Sequence, residues 1–409
     1  MAPDWPPSPR DFDGSAYVFA PDDEAGYAQH FREHGFVVVD DILEPEQVKA
    51  TIEEIWSNRS LLGGHDGLDP QEPRSWDAWP GGARNFLDSL SPLEEVETWR
   101  NRVNCKVNRV FDVLWEGLPE ILSDEDSPDH GTGATSSSLV MSVDRVGLMR
   151  PTKMKHGGRL IERPDWRTSR NWLHWDQNPW SSPDFQAMQG LLSLEGSRSS
   201  GGFVTVVGFQ EHFARWAQEH PEGSIPKRTR DMIPFPVPLD DEMQGRRSKI
   251  LVPSGALLVW DSRLPHENFP NEGEDWRIVQ YVTCKRLSSA DLEARAKAWQ
   301  VGLKTGLIPL AFAERFSTLE QIRLGMFLAP HSDGLTLALS AAAALVPEQL
   351  EAAEKLRRAY RLKQTAELPE QLKEAMALFR EAFKVTPALQ EVLQWVAKAE
   401  SSYLPFWIL

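Results

Sequence analysis

The stretch "NWLHWDQNPW" (residues 171–180) sets His174 and Asp176 two positions apart among three tryptophans, with Asn171 and Gln177 close by. In an extended strand, residues i and i+2 face the same side with Cα atoms roughly 6.5–7 Å apart. The imidazole and the carboxylate therefore converge while Trp175 turns away. Taken alone the pair has two readings: a core strand with a buried polar couple, or part of a metal site whose third ligand lies elsewhere.

The surrounding chain, from about 138 to 286, has β character. SLVMSVDRVGLM, FQAMQGLLSLEG, GGFVTVVGF, SKILV, GALLVWDS and WRIVQYVTC are short β-type runs separated by turn residues. Antiparallel strands in this arrangement predict a barrel or a double-sheet jelly roll. In "GALLVWDSRLPHENFPNEGEDWRIVQYV" (residues 255–282) an apolar strand runs into a Pro-His turn, and a second strand opens at Arg277. If that hairpin packs beside the His174 strand, His266 completes a set of two histidines and one carboxylate. Such a facial set leaves three positions of an octahedral Fe(II) open, whereas a structural metal would be closed by protein ligands. An open face accepts a chelating cosubstrate and then dioxygen.

Arg277 has a natural role beside such a metal. A dicarboxylate that chelates iron through keto and carboxylate oxygens leaves a distal carboxylate, which a planar guanidinium binds bidentately. Arg277, Val279, Tyr281 and Thr283 share one strand face, so Tyr281 or Thr283 is expected to line the same pocket. Strand position puts Asn171 and Gln189 near the cosubstrate as further contacts.

The rest of the chain is read more simply. Residues 1–24 are rich in Pro and Asp and are expected to be an arm without regular structure. Phe36 to Leu43 reads as a strand, and after Pro45 the apolar positions Val48, Ile52, Ile55 and Trp56 fall at helical spacing. "LEEVETWRNRVNCKVNRVFDVLWEG" reads as one amphipathic helix ending at Gly117. Residues 60–85 and 123–137 read as loops. Beyond Leu287 the pattern is helical, so residues 288–409 are expected to form a separate helical unit behind an oxygen-handling domain of residues 25–287.

Totals exclude several classes. The net charge of −16 opposes a surface that tracks a phosphate backbone, so nucleic acid is not expected as a partner. Two cysteines give no disulfide framework, which fits a reducing compartment. No apolar stretch is long enough to span a bilayer, and MAPDWPPSPRDFDG has no secretory character. A cytoplasmic protein with no membrane partner is the expectation.

Taken together, "EHGFVVVDDIL", then His174-x-Asp176, then His266 with Arg277 eleven residues later, resembles the phytanoyl-CoA dioxygenase family of Fe(II)/2-oxoglutarate oxygenases. The resemblance covers roughly residues 25–286. It implies an α+β protein with a double-stranded β-helix (jelly-roll, cupin-like) core, flanking helices and a C-terminal helical extension. It also implies that His174, Asp176 and His266 hold Fe(II) while Arg277 anchors 2-oxoglutarate. Many members carry Pro-Gly-Ser-His after the mid-barrel strand; here the place reads Val207-Gly208-Phe209-Gln210, with His212 further on. Related halogenases lack the carboxylate, so Asp176 favours oxygenation.

The resulting expectation is a dioxygenase that hydroxylates a small molecule while 2-oxoglutarate is decarboxylated to succinate. A protein side chain as substrate, a desaturating or cyclising outcome, and a silent binding module are the competing readings. The remaining histidines have no usable ligand spacing. Trp166, Trp172, Trp175 and Trp180 are read as packing before substrate contact. Lys227, Arg228, Arg230, Arg246, Arg247 and Lys249 form either a solvated loop or a clamp for an anionic group on the substrate. Cys284 reads as core, and the C-terminal helices offer a surface for a homodimer.

Overall fold

A computed structural model describes residues 10–12, 17–57, 68–77, 79, 86–87, 96–117, 139–142, 144–156, 159–169, 171–195, 202–222, 234–287, 289–326, 333–365 and 369–390. The loop expected over 123–137 lies outside the described residues, as do part of 60–85, the histidines at 65, 130 and 331, and Lys227, Arg228 and Arg230. The chain divides into two compact units, one of residues 1–88, 97–130 and 144–285, the other of 89–96, 131–143 and 286–409.

The first unit mixes helices with sheets. One six-stranded sheet runs in the order β1 (Arg10–Asp11), β13 (Ser248–Ile250), β11 (Gly202–Thr205), β15 (His266–Phe269), β9 (His174–Trp175), β12 (Phe235–Pro236). A second runs β2 (Val18–Phe19), β3 (Phe36–Val39), β14 (Leu257–Asp261), β10 (Ala187–Glu195), β16 (Arg277–Arg286), β6 (Val146–Met149), β4 (Phe86–Leu87). Lys153–His156 (β7) and Arg159–Glu162 (β8) form a separate hairpin. Phe203, Ile250 and Trp175 of the first sheet share one buried cluster with Phe36, Leu191, Leu258, Trp260 and Val279 of the second. The two sheets are thus layers over a common apolar core.

Flanking helices seat on that frame. In α1 (Glu24–His34) Asp23 caps the start by accepting from the Gly26 N–H, and Gly35, at φ 76°, ends it. Only a residue free to enter the left-handed region lets the chain turn at once into β3. Helix α2 (Pro45–Ser57) opens on its proline, and α5 (Phe213–Glu219) buries Phe213 and Trp216.

Three expectations change. The single helix expected before Gly117 is two, α3 (Glu97–Val103) and α4 (Cys105–Glu116). Asn104 leaves the helical region (ψ 132°) and its side chain accepts from the Lys106 and Val107 N–H groups, which starts a new helix in mid-pattern. The amphipathic period is unbroken there, so it hid the cap. The arm also carries structure: β1 pairs parallel with β13 and β2 with β3, while Phe12 and Tyr17 pack edge-on and tilted against Phe36. Finally, the hairpin expected over residues 255–282 does not form: β10 lies between β14 and β16, and His266, read in a turn, starts β15. β15 pairs with β11 and β9 in one sheet, and β16 with β10 and β6 in the other. The Asn271 side chain pins the crossover by donating to the carbonyls of Met149, Arg150 and Asp275.

The second unit contains β5 (Leu139–Met141) and six helices among its described residues: α6 (Ser289–Lys304), α7 (Leu310–Ala313), α8 (Thr318–Arg323), α9 (Asp333–Ala343), α10 (Pro347–Thr365) and α11 (Pro369–Val385). Arg295, buried, donates to the Leu324 and Met141 carbonyls, and burial lowers its pKa to about 10. Ser317 and Glu320 form a reciprocal capping box on α8. No described helix is long and apolar enough to cross a membrane.

Candidate metal centre

The first sheet brings the two histidines together. β9 is only two residues long, and its sole register pair with β15 is His174 opposite His266. Side chains opposite each other on one face lie close, here with ring centroids 4.5 Å apart. Asp176, just past the end of β9, completes the cluster, and one ligand atom from each of the three lies within 4.8 Å of the others. His174 Nε2 is 3.7 Å from Asp176 Oδ1, and His266 Nε2 is 3.6 Å from Asp176 Oδ2.

The far edges of both imidazoles are fixed alike. His174 Nδ1 lies 2.9 Å from the Trp172 carbonyl, and His266 Nδ1 lies 3.1 Å from that of Leu264. A carbonyl only accepts, so Nδ1 carries the proton and donates, which leaves each Nε2 lone pair aimed at the cluster centre. Desolvation by the surrounding protein opposes ionisation of Asp176. The adjoining His266 and His174 rings and a hydrogen bond from Gln189 outweigh it, so its carboxyl stays far below the usual carboxylate range. The histidine side chains are 7% and 9% exposed against 48% for the carboxylate. The cluster therefore opens on its Asp176 side.

Around this core the other expected residues take definite places. Gln189, on β10, donates through Nε2 to Asp176 Oδ2 at 2.7 Å and accepts at Oε1 from Trp260 Nε1 at 3.2 Å. In this structure it steadies the carboxylate. Thr283 sits opposite Gln189 in the β10–β16 register and is buried. Arg277 is buried at the start of β16; its Nη1 donates to Asn268 Oδ1 at 2.9 Å and meets Met149 Sδ at 2.7 Å. Asn268 Nδ2 in turn donates to the Tyr281 hydroxyl at 2.7 Å, so Tyr281 joins the face of Arg277. Burial lowers the Arg277 pKa and raises that of Tyr281, which Arg277 and Asn268 partly oppose. Asn171 adopts φ 57° and accepts at Oδ1 from Arg247 Nη1 at 3.2 Å.

Trp166, Trp175 and Trp180 are packing residues. Trp175 is buried against Phe213 and Trp216, Trp180 leans on the same cluster, and Trp166 packs with Trp76. Trp172 differs, because its ring stacks on His174 at 4.6 Å and 13°. His212 is exposed and stands outside the ligand cluster. Of the described basic residues, Arg246 pairs with Glu242, Arg247 with Glu267 and Lys249 with Asp11. Cys284 is buried and Cys105 exposed. Sequence reasoning did not single out Glu267, Asn268 or Trp260. One signal was available: in an apolar sheet, a carboxylate beside His266 has to find a partner.

No protein-family model matches the chain. It is 20% identical over 292 residues, 62% of this chain and 73% of the relative, to a protein of Dictyostelium discoideum named "Putative phytanoyl-CoA dioxygenase". It is 21% identical over 280 residues, 64% of this chain and 79% of the relative, to "Ava biosynthesis cluster protein O" of Aspergillus versicolor. Among solved structures, the non-heme alpha ketoglutarate dependent epimerase SnoN from nogalamycin biosynthesis aligns at TM-score 0.40 and 16% identity, over 65% of this chain and 84% of that one. The resemblance to phytanoyl-CoA dioxygenases carried by the sequence motifs is thus found again among curated relatives.

Proposed function

We propose that this chain is an Fe(II)/2-oxoglutarate-dependent oxygenase acting on a small molecule, built on a double-stranded β-helix core. The observation that carries the reading is the donor set: two imidazoles with Nδ1 committed to carbonyls and both Nε2 atoms turned toward one ionised, solvent-open carboxylate. Two neutral nitrogens and one carboxylate oxygen suit Fe(II) and leave open positions on it.

When bound, iron with 2-oxoglutarate and dioxygen supplies the oxidising chemistry, the keto acid leaving as succinate and carbon dioxide. The protein's residues bind, orient and enclose. His174, Asp176 and His266 would hold the metal, and Gln189 steadies the carboxylate through its hydrogen bond. Arg277 presents a rigid guanidinium to the distal carboxylate of the keto acid. Its burial strengthens that attraction, because little water competes for the charge. Tyr281 and Thr283 line the same strand face, and Trp172 covers one side of His174. Asp176 would serve as a ligand where related halogenases lack a carboxylate, so the reading favours hydroxylation over halogenation.

Anaerobic titration with Co(II), a spectroscopic stand-in for Fe(II), tests the site. One equivalent should bind, and His174→Ala with Asp176→Ala should abolish binding; stoichiometric binding that survives both changes sinks the reading. A metabolite screen for succinate formed only with Fe(II), 2-oxoglutarate and substrate then tests the activity.

A further inference from the structure

The geometry points to Glu267 and Arg247 as a positioning pair that sets the orientation of His174 without touching the metal. Glu267 follows His266 on β15, so strand alternation sends its side chain to the opposite face. There it is buried with Arg247, the two side chains 3% and 2% exposed and 2.6 Å apart. The second carboxylate oxygen of Glu267 accepts the Trp172 N–H at 2.8 Å. Arg247 Nη1 also reaches Asn171 Oδ1, and its Nε donates to the Gln244 carbonyl at 3.0 Å.

These contacts matter because the β-ladder ends at His174. β9 has only its one register pair with β15, and Asn171 at φ 57° leaves the strand conformation altogether. The Trp172 peptide is therefore tied to β15 by the Glu267 side chain in place of a ladder bond. The carbonyl of that tryptophan is the one that accepts from His174 Nδ1, and its ring is the one stacked on the imidazole. Glu267 thus fixes the residue that fixes the ligand, and Arg247 holds both Glu267 and Asn171 in place. A buried ion pair adds little net stability over an apolar replacement of similar volume, so what it supplies here is direction.

This inference rests on the metal-site reading, and anaerobic Co(II) titration separates the two. Glu267→Met with Arg247→Met removes the acceptor without burying a lone charge. It should keep the wild-type thermal midpoint or exceed it, yet bind Co(II) about 10–100-fold more weakly, the usual cost of losing a group that orients a metal ligand. Glu267→Gln with Arg247→Met restores an acceptor for the Trp172 N–H and should recover most of the affinity. Hydrogen exchange at Trp172 should be faster in the first variant than in the second. A folded Met/Met protein with wild-type Co(II) affinity overturns the assignment. Should that protein not fold, Glu267→Asp decides, since it keeps the charge pair but falls short of Trp172. A wild-type affinity there overturns the assignment, and at least about tenfold weakening supports it. If the wild-type chain binds no Co(II), or binds it equally without His174 and Asp176, the site reading itself fails and this inference falls with it.

Discussion

At the scale of single residues, the candidate site is a set of side chains whose free valences are consumed in an orderly way. Each histidine spends Nδ1 on a carbonyl and keeps Nε2 for the centre. Asp176 receives Gln189 on one oxygen. Gln189→Leu should therefore leave the fold intact while weakening Co(II) binding about tenfold, read by anaerobic titration. Arg277→Lys should leave metal affinity unchanged yet raise the 2-oxoglutarate concentration for half-maximal succinate formation. A point charge cannot reproduce a bidentate contact, and a loss of roughly 1.5–3 kcal/mol corresponds to about 10–100-fold. His174, Asp176 and His266 were legible because ligand chemistry restricts residue type and strand alternation restricts spacing. Gln189 was legible as a resident of the site, read there as a cosubstrate contact; its hydrogen bond to Asp176 depends on a register between strands that no local pattern encodes.

At the scale of elements, the sequence shows what each segment is made of better than where it stops or what it pairs with. The runs at Ala187–Glu195, Leu257–Asp261 and Arg277–Arg286 are strands, as short apolar runs bounded by turn residues predict. Two changes of direction were hidden. Asn104 breaks a helix inside an unbroken amphipathic period, because a cap is a local hydrogen bond and leaves hydrophobicity untouched. Asn104→Ala should cost about 1 kcal/mol of stability, seen as a lower urea midpoint with unchanged slope. The crossover after β15 looked like a hairpin loop, since composition cannot tell a turn within one sheet from a passage between two. That passage matters to the site. It sets Arg277 on the sheet facing the one that carries His266, and Asn268 spans them by accepting from Arg277 while donating to Tyr281.

For the whole molecule, the layered sheets of the first unit supply the apolar frame in which a small polar cluster is held. Stability should follow pH in a way set partly by His30. Burial, with the neighbouring His34, lowers its pKa from 6.5 to about 4. Its neutral form is favoured in the folded state, so its contribution is present above pH 6.5 and is lost as pH falls toward 4. His30→Phe keeps an aromatic ring against Phe36 and should flatten the fall in urea midpoint between pH 7 and pH 4.5 relative to wild type. The reading as an oxygenase is tested most directly by anaerobic calorimetry of 2-oxoglutarate binding with and without Fe(II). One equivalent should bind only when Fe(II) is present, with binding weakened by Arg277→Lys and lost with His174→Ala and Asp176→Ala together. Binding of the keto acid at equal affinity without metal, or unchanged in the double variant, would contradict that reading.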